Sequence, residues 1–259
     1  MAGTLRVLIT DHPWPDLEIE QAVLAGVGAE VIEPAEPTAA GIAEHAPSAD
    51  AIGVCWAPLP GELLERCPRC RIVARFGVGL DNIPVATATR LGVPVTYVPD
   101  YCVSEVADHT LALILALVRD VPAFDRSLKT GVYDPNRFIP RRLSKLTLGL
   151  VGFGRIGRAV ADRALAFGMT VLATSRSRDR KGRNVRMAML DELLAASDVV
   201  SLHLPLSAET RRLIDGRRLS RMKPAAFLVN TSRGPLVDSG ALLDALDGGR
   251  LGGAALDVF

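Results

Sequence analysis

Lys-Leu-Thr-Leu-Gly-Leu-Val-Gly-Phe-Gly-Arg-Ile-Gly, residues 145–157, decides how the rest of the chain is read. Residues 146–151 are a short apolar run, the length of one buried strand. Gly152, Gly154 and Gly157 then make G-x-G-x-x-G, and residues 158–167 read as an Ala-rich helix stopped by Gly168. Strand, glycine turn and helix in that order are the context in which this spacing binds a dinucleotide. The first glycine permits the tight turn, the second lets the backbone approach a pyrophosphate, and the third lets helix and strand pack closely. The helix N-terminus adds N–H groups and a partial positive charge.

C-terminal to this stretch, residues 169–174 read as the second strand of the nucleotide unit. An acid closing that strand would hydrogen-bond the adenosine ribose. Ser175 takes that place, followed by Arg176, Ser177, Arg178, Asp179, Arg180 and Lys181. With no acid at the strand end and several cations to pair with a phosphate, the reading favours NADP(H), with NAD(H) as the alternative. Residues 190–196 read as a helix and 199–204 as a strand ended by Pro205, with His203 near its tip and within reach of a cofactor. Residues 213–222 read as a helix around Gly216, and 225–229 as a strand running into Asn230-Thr231-Ser232-Arg233-Gly234. An arginine just past a strand end can grip a carboxylate with both arms of its guanidinium. A helix over 242–246 and a last strand over 253–258 follow.

On the N-terminal side, strands are expected at 5–10, 29–32, 51–55, 72–74 and 93–98, with helices at 17–25, 38–45, 62–66 and 81–91 between them. Such alternation implies a parallel sheet with helices on its faces and a ligand crevice at the carboxyl ends of the strands. Phe76-Gly77-Val78-Gly79 follows one of those ends and offers accessible N–H groups to a small carboxylate, or is a plain turn. Residues 103–118 form a helix apolar nearly all round, expected to be buried inside a domain or against a second subunit. His109 on it reads as structural. Residues 120–144 read as a surface helix and loop, with Arg137, Arg141, Arg142 and Lys145 as a solvated basic face.

A net charge of +1 argues against nucleic acid or an anionic membrane as the main partner. No apolar run approaches a membrane span and the N-terminus lacks a signal pattern, so a cytoplasmic location is expected. Four cysteines in 259 residues are no disulfide framework. Cys67-Pro-Arg-Cys70 is a single C-x-x-C without a nearby His, which reads as reduced thiols, and no metal site is expected.

Taken together, the chain resembles the D-isomer-specific 2-hydroxyacid dehydrogenases, in the branch related to phosphoglycerate dehydrogenase and the C-terminal-binding-protein corepressors. The resemblance covers residues 72–259. It is carried by Gly77-Val78-Gly79-Leu80-Asp81-Asn82-Ile83, by Val-Pro-Asp-Tyr-Cys-Val-Ser-Glu-Val-Ala-Asp-His at 98–109, by the glycine turn, by Ser-Leu-His-Leu-Pro-Leu at 201–206, by Asn230 to Gly234, and by Ala-Leu-Asp-Val-Phe at 255–259. It implies an α/β protein of two doubly wound parallel-sheet domains. A flavodoxin-like substrate-binding domain is expected over 1–100 and a Rossmann NAD(P)-binding domain over 101–259, with the active site between them. The implied activity is hydride transfer between a nicotinamide and C2 of a small D-2-hydroxy or 2-oxo acid, such as glyoxylate or hydroxypyruvate. Arg233 is the implied catalytic contact to the substrate, holding its carboxylate, with main-chain help from Val78 and Gly79. Gly152, Gly154, Arg155, Ile156 and Gly157 would meet the pyrophosphate, and Ser175 and Arg176 the adenosine end. His203, Pro205 and Thr210 would line the cofactor. Thr231 and Asp257 would position the nicotinamide ribose and carboxamide, and Ser232 would also bind the cofactor. Relatives carry a proton-transferring Glu shortly after Asp257 and a His later still; here no Glu or His follows Arg233, so the expectation is either a piece of a longer enzyme or a chain without that proton transfer, in which the segment returning to the first domain would also be missing. Two other readings stay open: a cofactor-binding interaction protein of the corepressor kind, and a phosphite-type dehydrogenase. A homodimer is expected from the apolar helix.

Overall fold

Short apolar runs alternating with helices build two separate parallel sheets. The computed structural model describes residues 4–134, 136, 141–176 and 182–259. Two compact units divide the chain, Met1–Tyr101 and Cys102–Phe259.

The first unit runs β1 (Leu5–Ile9), α1 (Glu18–Ala25), β2 (Ala29–Ile32), α2 (Ala39–His45), β3 (Ala51–Val54), α3 (Gly61–Glu65), β4 (Val73–Arg75), α4 (Val85–Leu91) and β5 (Val95–Thr96). All pairings are parallel, in the order β2-β1-β3-β4-β5. Leu8, Ile52, Val54 and Val73 are buried from the strands, and Ile42, Leu63, Leu64 and Ala88 cover them from the helices. The expected helix over 81–91 starts four residues late. Pro84 precedes its first turn with a non-helical ψ of 68°, so residues 81–84 form a turn instead. Likewise the strand expected over 93–98 pairs only at Val95–Thr96.

The loop after β3 is fixed from two sides. The Asp11 carboxylate accepts the N–H groups of Cys55 (3.0 Å), Trp56 (2.6 Å) and Ala57 (2.9 Å). Asn82 donates to the carbonyls of Cys55 (3.2 Å) and Ala57 (3.1 Å), while its own oxygen accepts from Arg75 Nε (3.2 Å). Burial alone would raise the Asp11 carboxyl, but these N–H groups and the Thr10 hydroxyl hold it below its ordinary value. Cys67 and Cys70 are buried free thiols, the first donating to Leu63 O at 3.0 Å. Burial pushes Cys67 up to about 11 and Cys70 upward as well, which keeps both protonated and unreactive.

The second unit opens with two helices, α5 (Val103–Val118) and α6 (Val121–Lys129). It continues through β6 (Thr147–Val151), α7 (Arg155–Ala166), β7 (Thr170–Thr174), β8 (Val185–Met187), α8 (Leu190–Ala196), β9 (Val199–Leu202), α9 (Gly216–Leu219), β10 (Phe227–Asn230), α10 (Ser239–Asp247) and β11 (Gly253–Leu256). Its six parallel strands lie in the order β11-β10-β9-β6-β7-β8. This is the doubly wound order in which the direction of winding reverses between the first and fourth strands, here β6 and β9. Two apolar clusters cover the faces, one centred on α5, α7 and β6, the other on α8, β9, β10 and α10.

Several local expectations change. α7 begins at Arg155, directly after Gly154. The helix expected over 213–222 shrinks to Gly216–Leu219, capped by the Asp215 carboxylate on Arg218 N–H, because Ile214 instead bridges to Val237. β8 was not expected; it pairs only at the sheet edge with β7. α5 is covered inside its own unit: Ala107, Leu111, Ile114 and Val118 are buried in the cluster with α7 and β6. Its apolar character therefore no longer calls for a second subunit. Arg141, expected on a solvated face, lies over the Phe227 ring at 4.9 Å, a cation–π contact. Arg137 lies outside the described residues. Among the described residues, no helix is long and apolar enough to cross a membrane and no group of His, Cys, Asp and Glu could hold a metal ion.

Candidate functional site

The glycine turn lies at the carboxyl end of β6, where the sheet order reverses. Gly152 has φ +107°, and a Cβ there would stand 2.2 Å from His203 O. A Cβ on Gly157 would stand 2.4 Å from Gly152 O. Both positions therefore exclude any side chain, the first for conformation and space, the second for helix–strand contact. Gly154 caps α7 in an extended conformation and supplies no side-chain hydrogen bond. The first-turn N–H groups, including those of Arg155 and Ile156, are thus not taken by a capping side chain. A cradle with these features fits the phosphates of a dinucleotide.

His203 follows β9, and its N–H donates to Val151 O at 2.8 Å, which ties the tips of β6 and β9 together. Its Nε2 pairs with Ser201 Oγ at 3.0 Å. Burial pushes its pKa from 6.5 down to about 4, so the ring is neutral at physiological pH. The folded value lies below the unfolded one, so the unfolded chain takes up the proton first. The stability contributed by the neutral ring is complete above pH 6.5 and is lost as pH falls toward 4, about 3 kcal/mol in all. His203→Gln is expected to flatten the fall in Tm across that window; an unchanged slope would assign the titration to another group.

Ser175 and Arg176 follow β7, the first partly covered and the second exposed. Residues 177–181, with Ser177, Arg178, Asp179, Arg180 and Lys181, lie outside the described residues. An acid does approach Arg176, from the turn after β9: the Ser207 hydroxyl and, more weakly, the Arg176 charge hold the Glu209 carboxyl below its ordinary value. In the same turn Thr210 Oγ1 donates to Pro205 O at 2.8 Å and accepts from Ser207 N–H at 2.8 Å, which fixes the loop carrying Pro205.

The corner after β10 is organised by Asn230, which is 1% exposed. Its amide donates to Arg233 O (2.8 Å) and its oxygen accepts from Ser232 N–H (3.0 Å). Ser232 Oγ donates to Leu202 O at 2.6 Å, joining this corner to β9. Arg233 Nη1 donates to Ser232 O at 2.7 Å. Gly234 packs on the main chain of Phe259, where a Cβ would stand 2.1 Å from its carbonyl carbon. Thr231 and Asp257 occupy the next positions after the paired residues Asn230 and Leu256. Each is held by α5: Thr231 Oγ1 meets Thr110 Oγ1 at 3.0 Å, and Asp257 Oδ1 meets His109 Nε2 at 3.2 Å.

The second unit thus brings the glycine turn, His203, Ser232 and Arg233 to the carboxyl end of one sheet, with Thr231 and Asp257 beside them. Val78 and Gly79 belong to the first unit, after β4, and neither N–H finds a partner among the described residues. The sequence does not single out the part played by Asn230, and His109 reads from it as structural. Asp257 lies beside His109.

A family model described as the NAD binding domain of D-isomer specific 2-hydroxyacid dehydrogenases matches residues 111–259. A glyoxylate reductase of Pyrococcus furiosus is 44% identical over 208 residues, 76% of this chain and 62% of that protein. A D-3-phosphoglycerate dehydrogenase of Mycobacterium tuberculosis is 43% identical over 218 residues, 82% of this chain and 41% of that protein. The chain therefore spans between two fifths and about three fifths of these relatives. Among solved structures, D-lactate dehydrogenase from Aquifex aeolicus, complexed with NAD and lactic acid, superposes with a TM-score of 0.89 at 34% identity, over 98% of this chain and 77% of that one.

Proposed function

Since the chain belongs to the D-isomer-specific 2-hydroxyacid dehydrogenase family, we propose that it serves an NAD(P)-dependent oxidoreductase acting on a small D-2-hydroxy or 2-oxo acid, with glyoxylate and hydroxypyruvate as the leading substrates. The observation that carries this reading is the Asn230-built corner, which presents Arg233 at the same carboxyl end of the sheet as the phosphate cradle. A bound nicotinamide supplies the hydride chemistry. The chain's residues bind and orient: Arg233 grips the carboxylate as a bidentate donor. In the first unit, the main-chain N–H groups of Val78 and Gly79 are available to a carboxylate. Gly152, Gly154, Gly157, Arg155 and Ile156 receive the pyrophosphate. His203, Pro205 and Thr210 line the cofactor. Thr231, Ser232 and Asp257 face the nicotinamide end.

None of the four histidines is assigned the proton transfer; His203 in particular is held neutral by burial. The test is turnover by the full-length protein, followed as loss of reduced cofactor with glyoxylate or hydroxypyruvate as acceptor. Tight cofactor binding with no turnover on either acid would sink the assignment.

The cofactor is proposed to be NADP(H) in preference to NAD(H), on the serine at position 175 and the exposed cation at 176. Arg176→Ala is expected to raise the Kd for NADPH about tenfold, the loss of one charge-assisted bond, and to leave the Kd for NADH within about twofold. Tighter binding of NADH than NADPH by the unaltered chain would overturn the preference. A cytoplasmic homodimer completes the proposal, the pairing resting on exposed Val121, Leu128, Val132 and Tyr133 on and after α6.

A further inference from the structure

We propose that His109 and Thr110 are positioning residues that orient the two side chains meeting the nicotinamide end of the cofactor, Asp257 and Thr231. The proposal rests on the reading above that those two face the nicotinamide. Neither α5 residue is itself assigned a contact with cofactor or substrate.

The geometry is a matched pair of grips. β10 and β11 are parallel neighbours in the register Asn230↔Leu256, so Thr231 and Asp257 stand side by side one step beyond the last paired residues. Consecutive residues of one helix reach them: His109 Nε2 meets Asp257 Oδ1 at 3.2 Å and Thr110 Oγ1 meets Thr231 Oγ1 at 3.0 Å. Neighbouring residues on a helix point about 100° apart, which lets adjacent side chains serve adjacent strand ends. The platform is firm, because Thr110 is 0% exposed and α5 is packed into the core cluster around β6 and α7.

Proton counting then fixes the direction of the bond between the two threonines. Thr110 Oγ1 already donates its only proton to Val106 O at 2.7 Å. It can only accept from Thr231, so the Thr231 hydroxyl proton is directed into α5. The oxygen of Thr231 is left as an acceptor. Asp257 Oδ1 lies within ion-pairing distance of His109 Nε2, and its carboxylate offers acceptors only. Two adjacent acceptors, fixed in orientation, suit the N–H and O–H donors of a carboxamide and a ribose.

The experiment compares binding of NADPH with binding of adenosine 2′,5′-bisphosphate, which lacks both the nicotinamide and its ribose, to the full chain. Thr110→Val keeps the buried shape and removes the acceptor; His109→Ala removes the donor. Each is expected to weaken NADPH about tenfold while adenosine 2′,5′-bisphosphate stays within about twofold. Thr110→Ser and His109→Gln, which keep an acceptor and a donor, are expected to restore NADPH binding. Equal weakening of both ligands would reduce the two residues to structural roles and overturn the inference, as would unaltered NADPH binding. Asp257→Asn separates the two levels. If it leaves NADPH binding unchanged, the placement of Asp257 at the nicotinamide is wrong. If it weakens NADPH alone while the α5 variants bind normally, only the positioning role fails.

Discussion

Gly152→Ala will lower Tm by about 10 °C or more and abolish binding of both NADPH and NADH. The φ of +107° is closed to a side chain on conformational grounds, at roughly 1–2 kcal/mol. The new methyl would stand 2.2 Å from His203 O. That neighbour is backbone held by its own strand, so the clash costs roughly 1–3 kcal/mol more. A total near 4 kcal/mol corresponds to about 8–16 °C for a domain of this size. Relief by movement of residue 152 would also displace Gly157, which packs on Gly152 O, and with it the start of α7. Thermal melts and cofactor titration of the one variant check both halves. A melt within a degree or two of the unaltered chain would mean that the turn is softer than its geometry implies.

Arg233→Ala in the full-length protein is expected to lower kcat/KM for 2-oxo acids by roughly 10²–10³-fold, from the 2–5 kcal/mol lost when one partner of a hydrogen-bonded charge pair is removed. Cofactor affinity should hold, because the substitution removes only the Nη1 bond to Ser232 O, while the Asn230 bonds and the Ser232 hydroxyl bond to Leu202 O, which use main-chain atoms of Arg233 or none of its atoms, remain. Arg233→Lys should recover only part of the loss, since an ammonium cannot reproduce the planar two-armed grip. Turnover that survived Arg233→Ala with an unchanged KM would remove Arg233 from the carboxylate. Asn230→Ala offers an internal comparison: it should weaken both stability and substrate binding, because it frees the corner without touching the guanidinium.

The nucleotide unit was legible because its signals are local. An apolar run, three glycines at fixed offsets and an Ala-rich helix are contiguous, and each has a physical reason that needs no distant partner. What stayed hidden depends on partners far away in sequence. β8 is a three-residue edge strand whose identity comes from pairing with β7, and Val-Arg-Met alone carries too little pattern. Residues 213–222 hold enough apolar side chains for a helix, yet Ile214 is claimed by Val237 and leaves room for a single turn. Pro84 stands just before α4, and its ψ keeps it and the residues before it out of the helix expected over 81–91. His109 shows the same limit at the candidate site. Nothing within its own helix marks it as more than structural, and its meaning comes from Asp257, which the sheet delivers from the far end of the chain. The carboxyl-end location of the glycine turn and of the Arg233 corner followed from the alternation of strands and helices. The Asn230 scaffold that shapes that corner did not, because a buried asparagine is recognised only once its partners are known.

The burial of three thiols also makes the native chain convenient for spectroscopy. Cys55, Cys67 and Cys70 are covered and their thiols are held protonated, whereas Cys102 is partly accessible. A maleimide-linked dye or spin label is therefore directed to one atom without any cysteine having to be removed. That atom belongs to the first residue of the second unit, immediately before α5. A single reporter would thus stand at the junction of the two units, on the residue that leads into the helix carrying His109 and Thr110.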